Sequence, residues 1–269
     1  GGRGGRGDGG LGPGGGLIVA CGDDHGVGRI LPRLGQPRRS VLTYGTNSGS
    51  MLLAEEVTPV GRGTTFKVRE RGALLGKVKL SVPGMHNVRN ALGAIGAALH
   101  LGASWESIAA GLAAYSGVER RFEQVGEANG VLVIDDYAHH PTEIAATLQA
   151  ARASYPGRRI VAIFQPHLYS RTRDFAADFG RTLATADLVF VTDIYAARER
   201  PIEGVTGEMI ANPAREAGAN VTYLTNRSAV AGEVAATLRP DDVCITLGAG
   251  DLNDAAREIL GLIGTNGHR

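Results

Sequence analysis

Between Val131 and Leu262 the chain repeats one pattern: a short run of near-continuous Val, Ile, Leu and Phe, a polar corner, then a helical stretch. The runs are VLVIDDYA, RRIVAIFQP, DLVFVTDIY, NVTYLT and DDVCITLGAG, with helices expected from Pro141, from Ser170, near Gly207, from Arg227 and up to Leu262. A strand that is apolar on both faces must be buried on both. The pattern therefore predicts an α/β fold with a mostly parallel sheet covered by helices on either side. Open sheets of this kind bind ligands outside the carboxyl ends of their strands. The corners DDYAHHPTE (Asp135 to Glu143), QPHLYSRTRD (Gln165 to Asp174) and LGAGDLN (Leu247 to Asn253) all belong to that end, so they are expected to face one cleft.

The first half has a different rhythm. Residues 1–16 are nearly all glycine and are expected to form a disordered tail. From Leu17 follow a strand LIVACG, a short helix around Val27 to Leu34, a strand SVLTYG and two or three further strands through LLGKVKLSV. Pro83-Gly84 is a turn signal, after which Val88, Leu92, Ile95 and Leu99 recur at helical spacing. A second helix, SWESIAAGLAAYSG, has Ser104 as its expected N-cap and Ser116-Gly117 as its stop. This divides the chain into a domain over 17–117 and another over 118–269, with the boundary near Gly117 and Val118.

Composition excludes several classes. With 43% hydrophobic and 20% charged residues over 269 positions, the chain suits a soluble globular protein of one or two domains. A net charge of +1 argues against nucleic acid as a partner, since such binders rely on a strong positive field. The arginines of the glycine-rich segment, Arg3 and Arg6, neutralise too little phosphate to change that. Cys21 and Cys244 lie far apart in or beside apolar strands and read as free thiols, which fits a reducing cytosol. No apolar run has membrane-span length and no signal-peptide pattern opens the sequence, so no membrane partner and a cytoplasmic location are expected.

The chemistry concentrates in the corners. Asn87 and Asn90, three residues apart, share one face of a helix start where amides meet a base or a phosphate; a plain N-cap at Asn87 explains the spacing as well. Arg120-Arg121 at the boundary offers bidentate geometry for phosphate or an ordinary solvated pair. In DDYAHHPTE two carboxylates, a phenol and two imidazoles exceed what a capped turn needs. Ser170 is expected to cap a helix carrying Arg171 and Arg173, which gives an anion N–H donors and guanidinium groups at one place. Gly248 and Gly250 allow close backbone approach or simply a tight turn.

Taken in order, PGMHNVRNALGAIGAAL, GVERRF, DDYAHHPTE and QPHLYSRTRD resemble the Mur ligase family, and the resemblance runs from about Leu17 to the C-terminus. It implies a partial central domain followed by a Rossmann-like C-terminal domain. The branch resembled is the one that joins L-alanine to UDP-N-acetylmuramate, using ATP and Mg2+ through an acyl phosphate. By the same resemblance His86, Asn87 and Asn90 would lie beside adenine, Arg120 near the phosphates and Asp136 near the ribose. Tyr137, His139, His140, His167 and Arg171 would face the muramate and alanine groups, with His139, His140 and Arg171 in the catalytic positions. Leu168 stands where some relatives have Arg.

One family feature is missing from the sequence: the phosphate-cradling pattern G-x-x-x-x-G-K-[ST] does not occur, and GALLGKV (Gly72 to Val78) departs from it in spacing and last residue. The family's UDP-binding domain and magnesium ligands also have no counterpart before Leu17. A truncated ligase, inactive alone, is the expectation. Two alternatives stay open at this point. One is a metal-dependent phosphoesterase using Asp135, Asp136, His139, His140 and His167; the other is a nucleotide-binding module without turnover.

Overall fold

The computed structural model describes residues 16–34, 40–61 and 63–266, which form two compact units. Positions 1–15 of the expected glycine-rich tail lie outside the described residues. Unit 1 runs to Ser81 and resumes over Met85–Tyr115; unit 2 takes Val82–Gly84 and everything from Ser116.

Unit 1 is a five-stranded sheet in the order β1 (Leu17–Cys21), β2 (Ser40–Gly45), β3 (Leu52–Val60), β4 (Gly63–Glu70), β5 (Ala73–Leu80). The first pairs, β1 with β2 and β2 with β3, are parallel, and the rest are antiparallel. A short helix α1 (His25–Ile30) and a 3-10 turn (Leu31–Leu34) follow β1. Helix α2 (Met85–His100) packs its Val88, Leu92 and Ile95 stripe on β1, β2 and β3. It comes close because Gly96 is bare: a Cβ there would stand 2.8 Å from Leu42 Cδ2. Helix α3 (Trp105–Ala114) is capped as expected, with Ser107 N donating to Ser104 Oγ at 3.2 Å, and lies against β5.

Unit 2 contains β6 (Glu123–Ala128), β7 (Val131–Asp136), α4 (Pro141–Ser154), β8 (Arg159–Phe164), α5 (Tyr169–Leu183), β9 (Leu188–Thr192), α6 (Glu208–Glu216), β10 (Val221–Leu224), α7 (Val230–Ala235), β11 (Asp242–Leu247) and α8 (Leu252–Asn266). The sheet order is β10-β9-β8-β11-β7-β6, parallel throughout except for β6. Every residue of β7, β9 and β11 is buried, which is the outcome the apolar runs predict. One core joins alternate strand residues to Ile144, Leu148, Phe179, Leu183 and Ile210 of α4, α5 and α6. The other joins the opposite strand faces to Val230, Val234, Leu252 and Ile259 of α7 and α8.

Strand β6 is an addition to the expected pattern. EQVGEA is half-exposed and polar, and it is a strand because β7 offers it a free edge, in register Glu123 with Asp135. Within the sheet, β11 lies between β7 and β8. The chain leaves β8 through α5 on one face, whereas α8 follows β11 on the other. The C-terminal ends of β8 and β11 are thus a point where neighbouring strands send their helices to opposite faces, the geometry that opens a ligand crevice.

Candidate functional site

At the end of β7 the two carboxylates of DDYAHHPTE turn inward. Asp135 accepts from Arg120 Nε at 3.1 Å and from Thr246 Oγ1 at 2.5 Å. Arg120 Nη2 also donates to Gly248 O at 2.8 Å, so one guanidinium ties the end of β7 to the turn after β11. Asp136 accepts Phe122 N and Ala138 N, each at 2.8 Å. Burial is the dominant influence on its carboxyl and pushes it up to about 6, against those backbone donors and Arg121. Both carboxylates are therefore braces of the corner before they are anything else.

Outside them the rings line up. Tyr137 meets His139 edge-on at 5.2 Å, His139 meets His167 at 5.8 Å, and His167 stacks on Tyr195 at 5.9 Å. Arg120 and Arg121 lie over the Tyr137 ring at 5.0 and 5.5 Å, and Arg171 Nη1 donates to His139 O at 3.4 Å. His139 Nδ1 is 2.8 Å from Tyr137 O. A carbonyl only accepts, so Nδ1 donates here and Nε2 is the ring nitrogen left for another partner. His167 is held below its ordinary pKa by burial, then by Arg171 and His139, with Glu199 opposing. Near neutral pH its ring is uncharged, and its buried Nδ1 has no hydrogen-bond partner. The corner combines two imidazoles and a guanidinium, a set suited to holding a carboxylate and accepting a proton beside it.

The structure thus brings together Tyr137, His139, His167, Arg171 and Arg120. His140 goes elsewhere: its Nδ1 accepts Thr142 N at 3.3 Å as the N-cap of α4, and its ring packs on Phe175 at 5.0 Å. Neighbouring residues on extended backbone point to opposite sides, which separates the two histidines. Ser170 is a correction. Helix α5 starts at Tyr169 with Leu168 as N-cap at φ 71°, so Ser170 lies inside the first turn. Its N and Oγ both donate to Glu199, the N–H at 2.9 Å, and a carboxylate of the chain itself therefore sits where an external anion was expected.

His86, Asn87 and Asn90 belong to unit 1, in the first turns of α2. The helix begins at Met85, which places Asn87 past the cap position. His86, Arg89 and Asn90 line a cleft of about 670 Å³ floored by Ile18, Val19 and Val27 and flanked by Tyr44. An apolar floor with amide and imidazole groups on one wall fits a purine base. Among the described residues no three His, Cys, Asp or Glu side chains form a group able to hold a metal ion. The five-residue metal set is broken up because Asp135 and Asp136 turn into the corner and His140 faces α5.

The sequence reading passed over Gln165, Tyr195 and Glu199. Gln165 is buried after β8, with Nε2 donating to Asp251 Oδ1 at 2.8 Å and Oε1 without a hydrogen-bond partner. A Cβ on Gly250 would overlap Gln165 Oε1 and come within 2.7 Å of the Tyr195 ring, so the second glycine of GAG is required by packing.

Comparison with known proteins agrees with this architecture. Residues 10–98 match the Mur ligase middle domain, and residues 120–250 match the Mur ligase glutamate ligase domain. The UDP-N-acetylmuramate--L-alanine ligase of Salinibacter ruber is 45% identical over 253 residues, covering 94% of this chain and 53% of the relative. That of Mycolicibacterium vanbaalenii is 50% identical over 253 residues, covering 91% and 52%. The crystal structure of UDP-N-acetylmuramate-alanine ligase from Thermotoga maritima superposes with a TM-score of 0.75 at 27% identity, over 93% of this chain and 52% of that one. A MurF ligase from the same organism, in complex with ADP, shares the fold at a TM-score of 0.66 and 18% identity. The chain spans about half the length of the curated relatives it matches. With both of its units matched, one to each domain model, the chain belongs to the Mur ligase family, of which it carries the middle and glutamate-ligase domains.

Proposed function

We propose that the chain is the rear part of an ATP-dependent ligase that joins L-alanine to the carboxylate of UDP-N-acetylmuramate in the synthesis of peptidoglycan precursors. The observation that carries the reading is the Tyr137, His139, His167 and Arg171 cluster at the ends of β7 and β8. Relatives of that activity at 45–50% identity support it.

ATP, when bound, supplies the phosphoryl group that activates the carboxylate. In this reading the base rests in the unit 1 cleft on His86 and Asn90, with Asn87 next to them in the first turn of α2. Arg120, pinned by Asp135 and Gly248, brings positive charge toward the phosphates. Asp136 meets the ribose through the lone pairs its oxygens keep after accepting Phe122 N and Ala138 N. Arg171 and Tyr137 hold the muramate and alanine groups. His139 and His167 orient the alanine amine, and His167, held below its ordinary pKa, receives its proton as the amide forms. His140 shapes the site from the base of α4. A magnesium ion would accompany the nucleotide, held largely by its phosphate oxygens and water. The reaction is placed in the cytoplasm, in keeping with the free cysteines Cys21 and Cys244. No helix of the described residues is long and apolar enough to cross a membrane.

The test is alanine-dependent phosphate release with ATP, magnesium and UDP-N-acetylmuramate, run on this chain and on the longest reading frame continuous with it. Release by the longer product, lost by about 100-fold or more in His167→Ala, is the expected result. A longer product that carries a phosphate loop and releases no alanine-dependent phosphate would overturn the substrate assignment.

A further inference from the structure

Helix α5 has no cap of its own. Leu168 at its N-cap makes no side-chain hydrogen bond and sits at φ 71°, a conformation that an unbranched-at-Cβ but bulky residue adopts only when its surroundings hold it there. The surroundings are the loop after β9. Leu168 N donates to Tyr195 O at 3.0 Å, Tyr195 N donates to Pro166 O at 2.8 Å, and the Tyr195 ring stacks on His167. Four residues further on, Glu199 accepts Ser170 N at 2.9 Å and Ser170 Oγ, and a backbone hydrogen bond from Tyr169 adds to these. Ala197, between Tyr195 and Glu199, is itself at φ 50°. Each of the two loops joined by these hydrogen bonds thus carries a residue in the left-handed region, Leu168 on one and Ala197 on the other.

We propose that Glu199 is a positioning residue: from the loop between β9 and α6 it caps α5 in trans and so fixes the first turn that presents His167 and Arg171 to His139. A carboxylate on exposed helical N–H groups is the favourable sign for that end of the macrodipole. It also relieves the crowding of Arg171 and Arg173 there. A consequence is that the N–H groups of Tyr169 and Ser170 are already satisfied, which turns a substrate anion toward the side chains of Arg171 and His167. The titratable groups facing His167 are then Arg171 on α5, His139 on the loop after β7, and Tyr195 and Glu199 on the loop after β9. What these side chains are positioned for rests on the ligase reading; the positioning itself does not.

The experiment is imidazole NMR on the full chain, following His167 through a pH titration in the wild type, Glu199→Gln and Glu199→Ala. Glutamine keeps an acceptor for Ser170 N and removes the charge. Its expected signature is a His167 titration midpoint shifted to lower pH, with the Tyr169 and Ser170 amide signals kept. Alanine removes the cap, and the expected signature is loss of the Tyr195 ring-current shift on the His167 ring. If folded Glu199→Ala keeps the ring-current shift, or if Glu199→Gln, which keeps the acceptor, loses it, the proposal is wrong. Should the alanine variant fail to fold, Glu199→Ser, polar but too short to reach Ser170, takes its place in the same ring-current comparison. Failure of the phosphate-release assay leaves this titration fully readable, so the two readings fall separately.

Discussion

Arg159 and Asp242, at the N-terminal end of the unit 2 sheet, form two parallel hydrogen bonds of 2.8 and 2.7 Å across β8 and β11, whereas Gln165 and His167, at the C-terminal end of the same strand β8, each bury a polar atom without a partner. The contrast extends along both edges. Arg158 donates to Gly130 O, Asp241 O and Asp242 O, tying the starts of β7, β8 and β11 together. Among the described residues, buried side-chain atoms lacking a hydrogen bond are Gln124 Oε1, Gln165 Oε1, His167 Nδ1 and Arg227 Nε. All four follow β8 or β10 or lie beside the end of β7. Native proteins pair nearly all buried polar groups; Arg227 Nε has the Asp251 carboxylate at 3.6 Å, so Gln165 Oε1 and His167 Nδ1, both past the end of β8, are the atoms a bound group could still meet. One end of the sheet is built for stability and the other for binding.

The largest effect that can break this comparison is at the closed end. Arg159→Ala leaves Asp242, 3% exposed, as a buried carboxylate without its partner, and should destabilise the chain by about 3 kcal/mol in urea unfolding. A loss under about 1 kcal/mol would mean that the pair is not the clamp described.

Asp136 at the open end should show itself through pH. Its folded-state carboxyl, at about 6, lies above the ordinary 3.8, so the neutral form is the one the fold prefers. No cost is present below pH 4, and stability falls as pH rises through 6, by up to about 3 kcal/mol relative to the acid limit. Unfolding of the wild type and Asp136→Asn compared from pH 4 to 8 should move against the wild type as pH rises. A difference that stays constant would show that the Phe122 and Ala138 N–H donors outweigh burial.

Gly250→Ala should cost about 2 kcal/mol, because the new methyl overlaps Gln165 Oε1 and the Tyr195 ring. An unchanged midpoint would show that the Tyr195 loop yields freely. The smallest effect belongs to Gln165→Met, which removes an unpaired buried acceptor together with the bond to Asp251 and should stay within about 1 kcal/mol. A loss as large as that of Arg159→Ala would erase the distinction between the two edges.

The strands of unit 2 were legible because VLVIDD, RIVAIF and DVCITL are apolar at consecutive positions, a pattern only a doubly covered sheet accepts. LIVAC in β1 looks the same in sequence and ends half-buried, since it pairs on one side only and α1 buries no residue against it. Periodicity states what a strand tolerates, and neighbours decide what it receives. Strand β6 was illegible for the converse reason: its pattern is polar, and it exists because an edge was free.

In the site, the corners at β7, β8 and β11 were visible as clusters of ionisable residues, and Tyr137, His139, His167 and Arg171 do converge. The departure of His140 to α4 and Phe175 was not visible, because adjacent residues share a sequence position but not a direction. Glu199 was out of reach altogether, as it meets Ser170 across 29 residues.

By itself the sequence determined which segments pair and bury, and where the ionisable groups collect, since both follow from local residue type and spacing. Only the tertiary structure decided which carboxylates are spent as braces, which imidazole carries a bare nitrogen and which acid caps α5. Those depend on partners brought together from distant loops, and hydrogen bonding and burial act through a few ångströms of space without regard to separation along the chain.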